Sequence, residues 1–197
     1  IIANPGHHLL HAYCAWATSN FDDTAILVID GSGYSYGEYV RRGAGTLGTP
    51  PAYVDMEEAE SSYSVANGDL SVVEKRWALW EASRPYYRFP SVGHMYTMAS
   101  QYIFGHMNHA GKTMGLAPYG DPRSFPEPFV RIGPEGLEID TTWYLDLPPR
   151  STQPAQLDQT CRDLAARVQT DLEVAVLHLC RVLHERTGHS NLCVTGG

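Results

Sequence analysis

The longest rhythm in the chain runs from 155 to 187. Leu157, Cys161, Leu164, Val168, Leu172, Ala175, Leu179 and Val182 recur there at steps of three or four. One continuous apolar stripe at that spacing predicts an amphipathic helix, and Gly188 supplies its stop. A second helical rhythm, Leu10, Tyr13, Cys14 and Ala17, predicts a helix over 7–19 opened by Pro5-Gly6. The run TAILVID at 24–30 is aliphatic at nearly every position, as in a strand buried on both faces. Gly31-Ser32-Gly33 turns the chain, and the alternating aromatics of YSYGEYVRR predict a returning strand, so that 24–42 reads as a hairpin. Residues 43–69, rich in Gly, Pro, Ser and acidic side chains, read as a loop or flap. Residues 91–107 read as a mostly buried helix, GKTMGLAPYGDP as a loop, 129–141 as a second hairpin, and 143–154 as irregular. Residues 191–195 form a short strand, and Gly196-Gly197 its turn.

Composition narrows the class. With 43% hydrophobic and 18% charged residues over 197 positions, the chain can bury a core as one large domain. A net charge of −8 with no basic patch argues against nucleic acid as a partner. No apolar run approaches the ~20 residues of a membrane span. The four cysteines show no CxxC spacing, which fits reduced thiols and a cytoplasmic protein. The chain opens on IIANPG without an initiator Met and closes on a strand at its turn. The expectation is a piece of a longer protein, incomplete at both ends.

Candidate chemistry gathers early. In HHLLHAYCAW, His7 and His11 are four apart, so on a helix their rings share one face and can bind one divalent metal. Two histidines on a helix face or in its cap are the plain alternative. A zinc-protease motif is excluded, because its Glu would stand at the position of His8. Asp30 ends the buried strand where open α/β sheets bind ligands. It is the third candidate ligand, or else a turn cap. The glycines of Gly31-Ser32-Gly33 and Gly196-Gly197 can let an anion approach the backbone. Lys112 follows Gly111, but the spacing upstream is wrong for a phosphate-binding loop. The other histidines have no pairing that suggests chemistry.

The order HHLLHA, VIDGSG, GKTMGLAPYGDP, TGHSNLCVTGG resembles the O-carbamoyltransferases of the nodulation-protein-U and cephem carbamoyltransferase family. The resemblance covers most of the chain and is weakest over 43–90. It implies an α/β actin-like ATPase domain (ribonuclease-H-like), a mixed sheet flanked by helices, across 1–197, with 43–90 as a variable loop or flap. It also implies a partner domain that makes carbamoyl-adenylate from carbamoyl phosphate and ATP, and transfer of the carbamoyl group to the hydroxyl of a small-molecule acceptor such as a natural product. By this resemblance His7, His11 and Asp30 hold a divalent metal, usually iron, and a further Asp lies beyond residue 197, so the isolated piece is expected to be inactive. The adenylate is expected against Gly31, Ser32, Gly33, Gly196 and Gly197, with GKTMGLAPYG, including Lys112 and Gly120, as another wall. His8 and Asp121 are the candidate bases. The rival readings are a non-catalytic actin-like nucleotide-binding module and a relative of the subunit that transfers threonylcarbamoyl to tRNA.

Overall fold

A computed structural model describes residues 6–43, 49–82, 87–134, 136–147 and 157–197. It is a mixed α/β structure. The chain divides into two compact units, one of residues 1–93 with 179–197, the other of residues 94–178.

The first unit opens with helix α1 (His7–Ser19), then strand β1 (Thr24–Ile29) and a short helix α2 (Tyr36–Arg41). Two ten-residue strands follow, β2 (Glu57–Ala66) and β3 (Asp69–Ala78). A two-residue ladder joins β4 (Glu81–Ala82) to β5 (Tyr87–Arg88). Helix α3 (Val92–Phe104) leads into the second unit, which contains α4 (Ala110–Leu116) and the hairpin of β6 (Val130–Gly133) and β7 (Gly136–Ile139). Helix α5 (Gln159–Thr187) passes from the second unit back to the first, where β8 (Leu192–Thr195) closes the described chain.

The first unit is built on a four-stranded sheet of order β3-β2-β1-β8. β1 pairs antiparallel with β2 and parallel with β8. The aliphatic run of β1 is buried on both faces, as its composition predicts. Ile26 and Val28 meet Ala12 of α1 together with Tyr63, Val65 and Cys193. Ala25 and Leu27 meet Leu183 of α5.

Four sequence expectations give way. YSYGEYVRR is not the return strand of a hairpin. Ser35 accepts the Glu38 N–H through its side chain and starts α2, a capping pattern that overrides the aromatic alternation. The partner of β1 is instead β2, inside the stretch read as a flap. Asn67 and Gly68, at φ 54° and 80°, make the tight turn from β2 to β3, and Asn-Gly is the commonest signature for such a turn. The GKTMGLAPYG segment is helical, α4 running into a short 3₁₀ turn at Ala117–Tyr119. On α1 the buried side is His8 and Ala12, flanked by Leu9, Ala15 and Trp16, while Leu10, Tyr13, Cys14 and Ala17 face out. α1 carries apolar residues all round, so spacing alone could not choose its inner face. Of the long stripe, Cys161, Leu164, Val168 and Ala175 are buried on α5, and Leu157 precedes the helix. Residues 155 and 156, the expected start of that helix, lie outside the described residues.

Candidate metal centre

Helix α1 and the end of β1 meet at three side chains. His7 Nε2 lies 2.6 Å from Asp30 Oδ2, His11 Nε2 lies 3.1 Å from the same oxygen, and the two ring nitrogens are 3.3 Å apart. Atoms bonded to one ion at about 2.0–2.2 Å sit about 3 Å from one another, so the triangle has the size of one metal's ligand set. Among the described residues this is the group of His, Cys, Asp and Glu side chains whose donor atoms converge in this way. Two imidazoles and one carboxylate suit iron or zinc rather than calcium or magnesium, and the donor set therefore fits the divalent metal that the family resemblance implies. The side chains are 43%, 27% and 16% exposed, so the triangle opens to solvent on the His7 side.

Each ligand has a local reason for its place. The i, i+4 spacing sets His7 over His11 on one side of α1. Asp30 Oδ1 accepts the Gly31 N–H at 2.7 Å, which leaves Oδ2 aimed at the histidines. The turn after Asp30 is braced from behind. Ser91 Oγ donates to the Gly31 carbonyl at 2.9 Å, and a Cβ at Gly93 would overlap the Asp30 carbonyl. Buried Glu60 accepts the Val92 N–H at 2.7 Å and so holds the start of α3 beneath that turn. Because β8 runs parallel to β1, Gly196 falls beside Ile29 and Gly197 beside Asp30. A Cβ on Gly196 would overlap the Ile29 carbonyl, and one on Gly197 would stand 3.6 Å from Asp30 Oδ1.

The remaining site expectations fare unevenly. The Gly31 N–H is committed to Asp30, and the Gly33 N–H donates to the Glu58 carbonyl at 2.8 Å, so neither amide is open to an anion as expected. Among the described residues, Ser32 is the turn member with no hydrogen bond to the rest of the protein. His8 is completely buried, with Nδ1 2.8 Å from Ser61 Oγ. Burial pushes its pKa down to about 4, so it is neutral near pH 7, and no substrate can reach it as a base where it lies. Lys112, Gly120 and Asp121 belong to the second unit. Lys112 Nζ lies 3.2 Å from His109 Nε2 on the surface. Gly120 packs against the backbone of α5, where a Cβ would overlap the Arg162 carbonyl. Asp121 is held at about 2, first by its hydrogen bonds to the Arg123 side chain, and a carboxylate so stabilised is a poor proton acceptor.

The support of this centre has no motif of its own in the sequence. Glu58, Ser61 and Lys75 lie on β2 and β3, in the stretch taken for a flap. The Asn-Gly pair was the signal that could have found those strands.

The sequence model for the carbamoyltransferase N-terminus matches residues 2–130. Over 97% of its length the chain is 29% identical to the nodulation protein NolNO of Sinorhizobium fredii and 27% identical to the nodulation protein NolO of Bradyrhizobium diazoefficiens. It is 28% identical, over the same share, to an uncharacterized protein of Synechocystis. The matched regions make up 25%, 30% and 29% of those three proteins, so the chain spans less than a third of their length.

Proposed function

The chain belongs to the carbamoyltransferase family through the family's N-terminal region, and from that premise we propose that it carries the metal-assisted transfer site for a carbamoyl group. The donor in this reading is carbamoyl-adenylate, made from carbamoyl phosphate and ATP by another part of the protein. The acceptor is the hydroxyl of a small molecule. The observation that carries the reading is the His7–His11–Asp30 triangle. The strand order β3-β2-β1-β8, three antiparallel strands and a parallel fourth, supports an actin-like, ribonuclease-H-like framework for it.

The chemistry explains why such residues are wanted. An alcohol attacking the carbamoyl carbon must lose its proton, and negative charge builds on the carbonyl oxygen and on the departing AMP phosphate. A divalent ion, iron being the expected one, would supply Lewis-acid stabilisation of that charge when bound. The chain's own residues would hold it: the two imidazoles of His7 and His11 at one turn's spacing, and Oδ2 of Asp30, whose other oxygen is fixed by the Gly31 amide. Ser32, at the mouth of the turn, is the group best placed to donate to a phosphate or carbonyl oxygen. Gly197 flanks Asp30, and a Cβ there would stand at ordinary contact distance, 3.6 Å from Oδ1. Neither His8 nor Asp121 serves as the base in this reading, because one is sealed in the core and the other is tied to Arg123.

The test is a carbamoylation assay with ATP, carbamoyl phosphate, iron and a panel of alcohol acceptors, run on the protein and on its His11→Ala variant. His11→Ala is expected to abolish transfer and iron binding, with the melting temperature within a few degrees of the parent because the ring is partly exposed. Undiminished transfer in both His11→Ala and Asp30→Ala would refute the metal-assisted reading.

A further inference from the structure

The three ligands sit on two elements that share no backbone hydrogen-bond ladder. His7 and His11 ride on α1, and Asp30 ends β1. Ala12, with Leu9, Ala15 and Trp16 around it, packs α1 on the sheet and sets how far apart the two elements lie, but apolar packing is non-directional and does not by itself set the rotation of the helix to the precision that three converging donor atoms need. A rotation that moved the rings by one ångström would separate the lone pairs.

Strand β2 supplies what is missing, and it does so through an irregularity. Glu58 pairs with Trp77 and Glu60 with Arg76, so Ala59 is one residue too many: a β-bulge. In a regular strand Glu58 and Glu60 would project from the same face. The bulge parts them. Glu60 lies beside Leu27, Leu179 and Leu183 on the α5 side. Glu58 joins Ser61 and Tyr63 on the α1 side, where buried Lys75 pairs with its carboxylate and reaches the Tyr63 hydroxyl at 3.1 Å. From there Glu58 grips the segment that leaves Asp30. Its carbonyl accepts the Gly33 N–H at 2.8 Å, its N–H donates to the Tyr34 carbonyl at 3.1 Å, and its Oε2 accepts the Tyr34 N–H at 3.1 Å. Three residues on, Ser61 Oγ holds His8 Nδ1 at 2.8 Å, and His8 stands on α1 between the two ligand histidines. The two arms also touch. A Cβ at Gly33 would overlap both the Glu58 side chain and the His8 ring.

We propose that Glu58 and Ser61 of β2 are positioning residues for the His7–His11–Asp30 centre, Glu58 acting through the turn after Asp30 and Ser61 through His8. Neither touches the ion. Together they fix the angle between the helix and the strand end at which three donor atoms meet. Outer partners of metal ligands set affinity in this way, and losing one typically costs about 10–100-fold. The Glu58–Lys75 pair then has a purpose beyond stability, since a hydrophobic pair of similar volume would serve the core as well.

The inference rests on the metal reading, and the experiment keeps the two apart. Co(II) is titrated into the protein and followed by its visible absorption, which reports coordination geometry as well as affinity. The unaltered protein is expected to bind, and failure to bind would overturn the metal reading itself. Ser61→Ala, which removes a single oxygen, and the double variant Glu58→Leu/Lys75→Met are each expected to bind about 10–100-fold more weakly, with an altered spectrum. The double variant Glu58→Gln/Lys75→Met keeps an acceptor for the Tyr34 N–H and shares with the Glu58→Leu double variant the loss of the charges and of the Lys75 contact to the Tyr63 hydroxyl. It is expected to stay within about threefold of the parent and to restore its spectrum. If Ser61→Ala titrates as the parent does, the proposal is overturned, whatever the double variants do. Equal affinities for the Glu58→Leu and Glu58→Gln double variants would overturn it as well.

Discussion

A carboxylate's use depends on what already holds it, and this chain contains the contrast. Asp30 commits one oxygen to its own turn and presents the other to two imidazoles. Asp121 commits both oxygens to Arg123 and caps a 3₁₀ turn through the Arg123 N–H. In sequence each is an Asp beside a glycine in a motif, and nothing local separates them. Under the proposed transfer reading, Asp121→Asn is expected to slow that reaction by less than about threefold, since a group ionised down to pH about 2 contributes little as a base. An NMR titration of the Asp121 carboxyl should show its midpoint near 2. A loss on the order of a hundredfold on Asp121→Asn would reinstate it in the chemistry. His8 teaches the reverse lesson. It stands within the most reactive-looking stretch of the chain, yet burial makes it a neutral packing and hydrogen-bonding residue.

At the scale of elements, the turn between β2 and β3 has the largest consequence. It places ten residues of β2 along β1, and with them Glu58, Glu60 and Ser61. Asn67 and Gly68 both sit at positive φ, a conformation that Asn tolerates and that Gly adopts without steric cost. Gly68→Val should cost about 1–3 kcal/mol in urea unfolding, the usual strain of a branched residue held at positive φ. Asn67→Gly should be nearly neutral. If both changes were equally mild, the turn would be less decisive for the β2–β3 hairpin than its geometry indicates.

At the scale of the whole molecule, the first unit is discontinuous in sequence, and the chain leaves it after residue 93 and returns at 179. Its sheet is finished by β8, and the face of β1 opposite α1 is covered by Leu179 and Leu183 near the end of α5. The candidate metal triangle, drawn from the first thirty residues, thus stands at the end of a strand whose sheet is completed more than 150 residues later. Leu183→Ala should cost about 2–5 kcal/mol. Hydrogen exchange should show the loss spread over the amides of β1, β2 and β8 together, because they belong to one cooperative sheet. Loss of protection confined to α5 would contradict that coupling. Among the described residues no helix is long and apolar enough to cross a membrane.

The sequence by itself determined the parts that depend on short-range periodicity. The helix at 7–19, the buried strand at 24–29, the helices at 92–104 and 159–187, the hairpin after residue 130 and the last strand all carry their own pattern. The shared helix face of His7 and His11 and the strand-end position of Asp30 are local statements too, whereas the distance at which they meet depends on how α1 packs against β1 and β2. Tertiary structure alone decided which side of α1 is buried, since apolar residues ring that helix and only the fit against Ile26, Val28 and Tyr63 selects one. It alone decided the partner of β1, because pairing is a contest between distant segments that no window of residues contains. It alone decided the direction of Glu58 as well: strand alternation assigns it the same face as Glu60, and one bulged residue, fixed by the register with β3, reverses that assignment and turns the carboxylate toward the site.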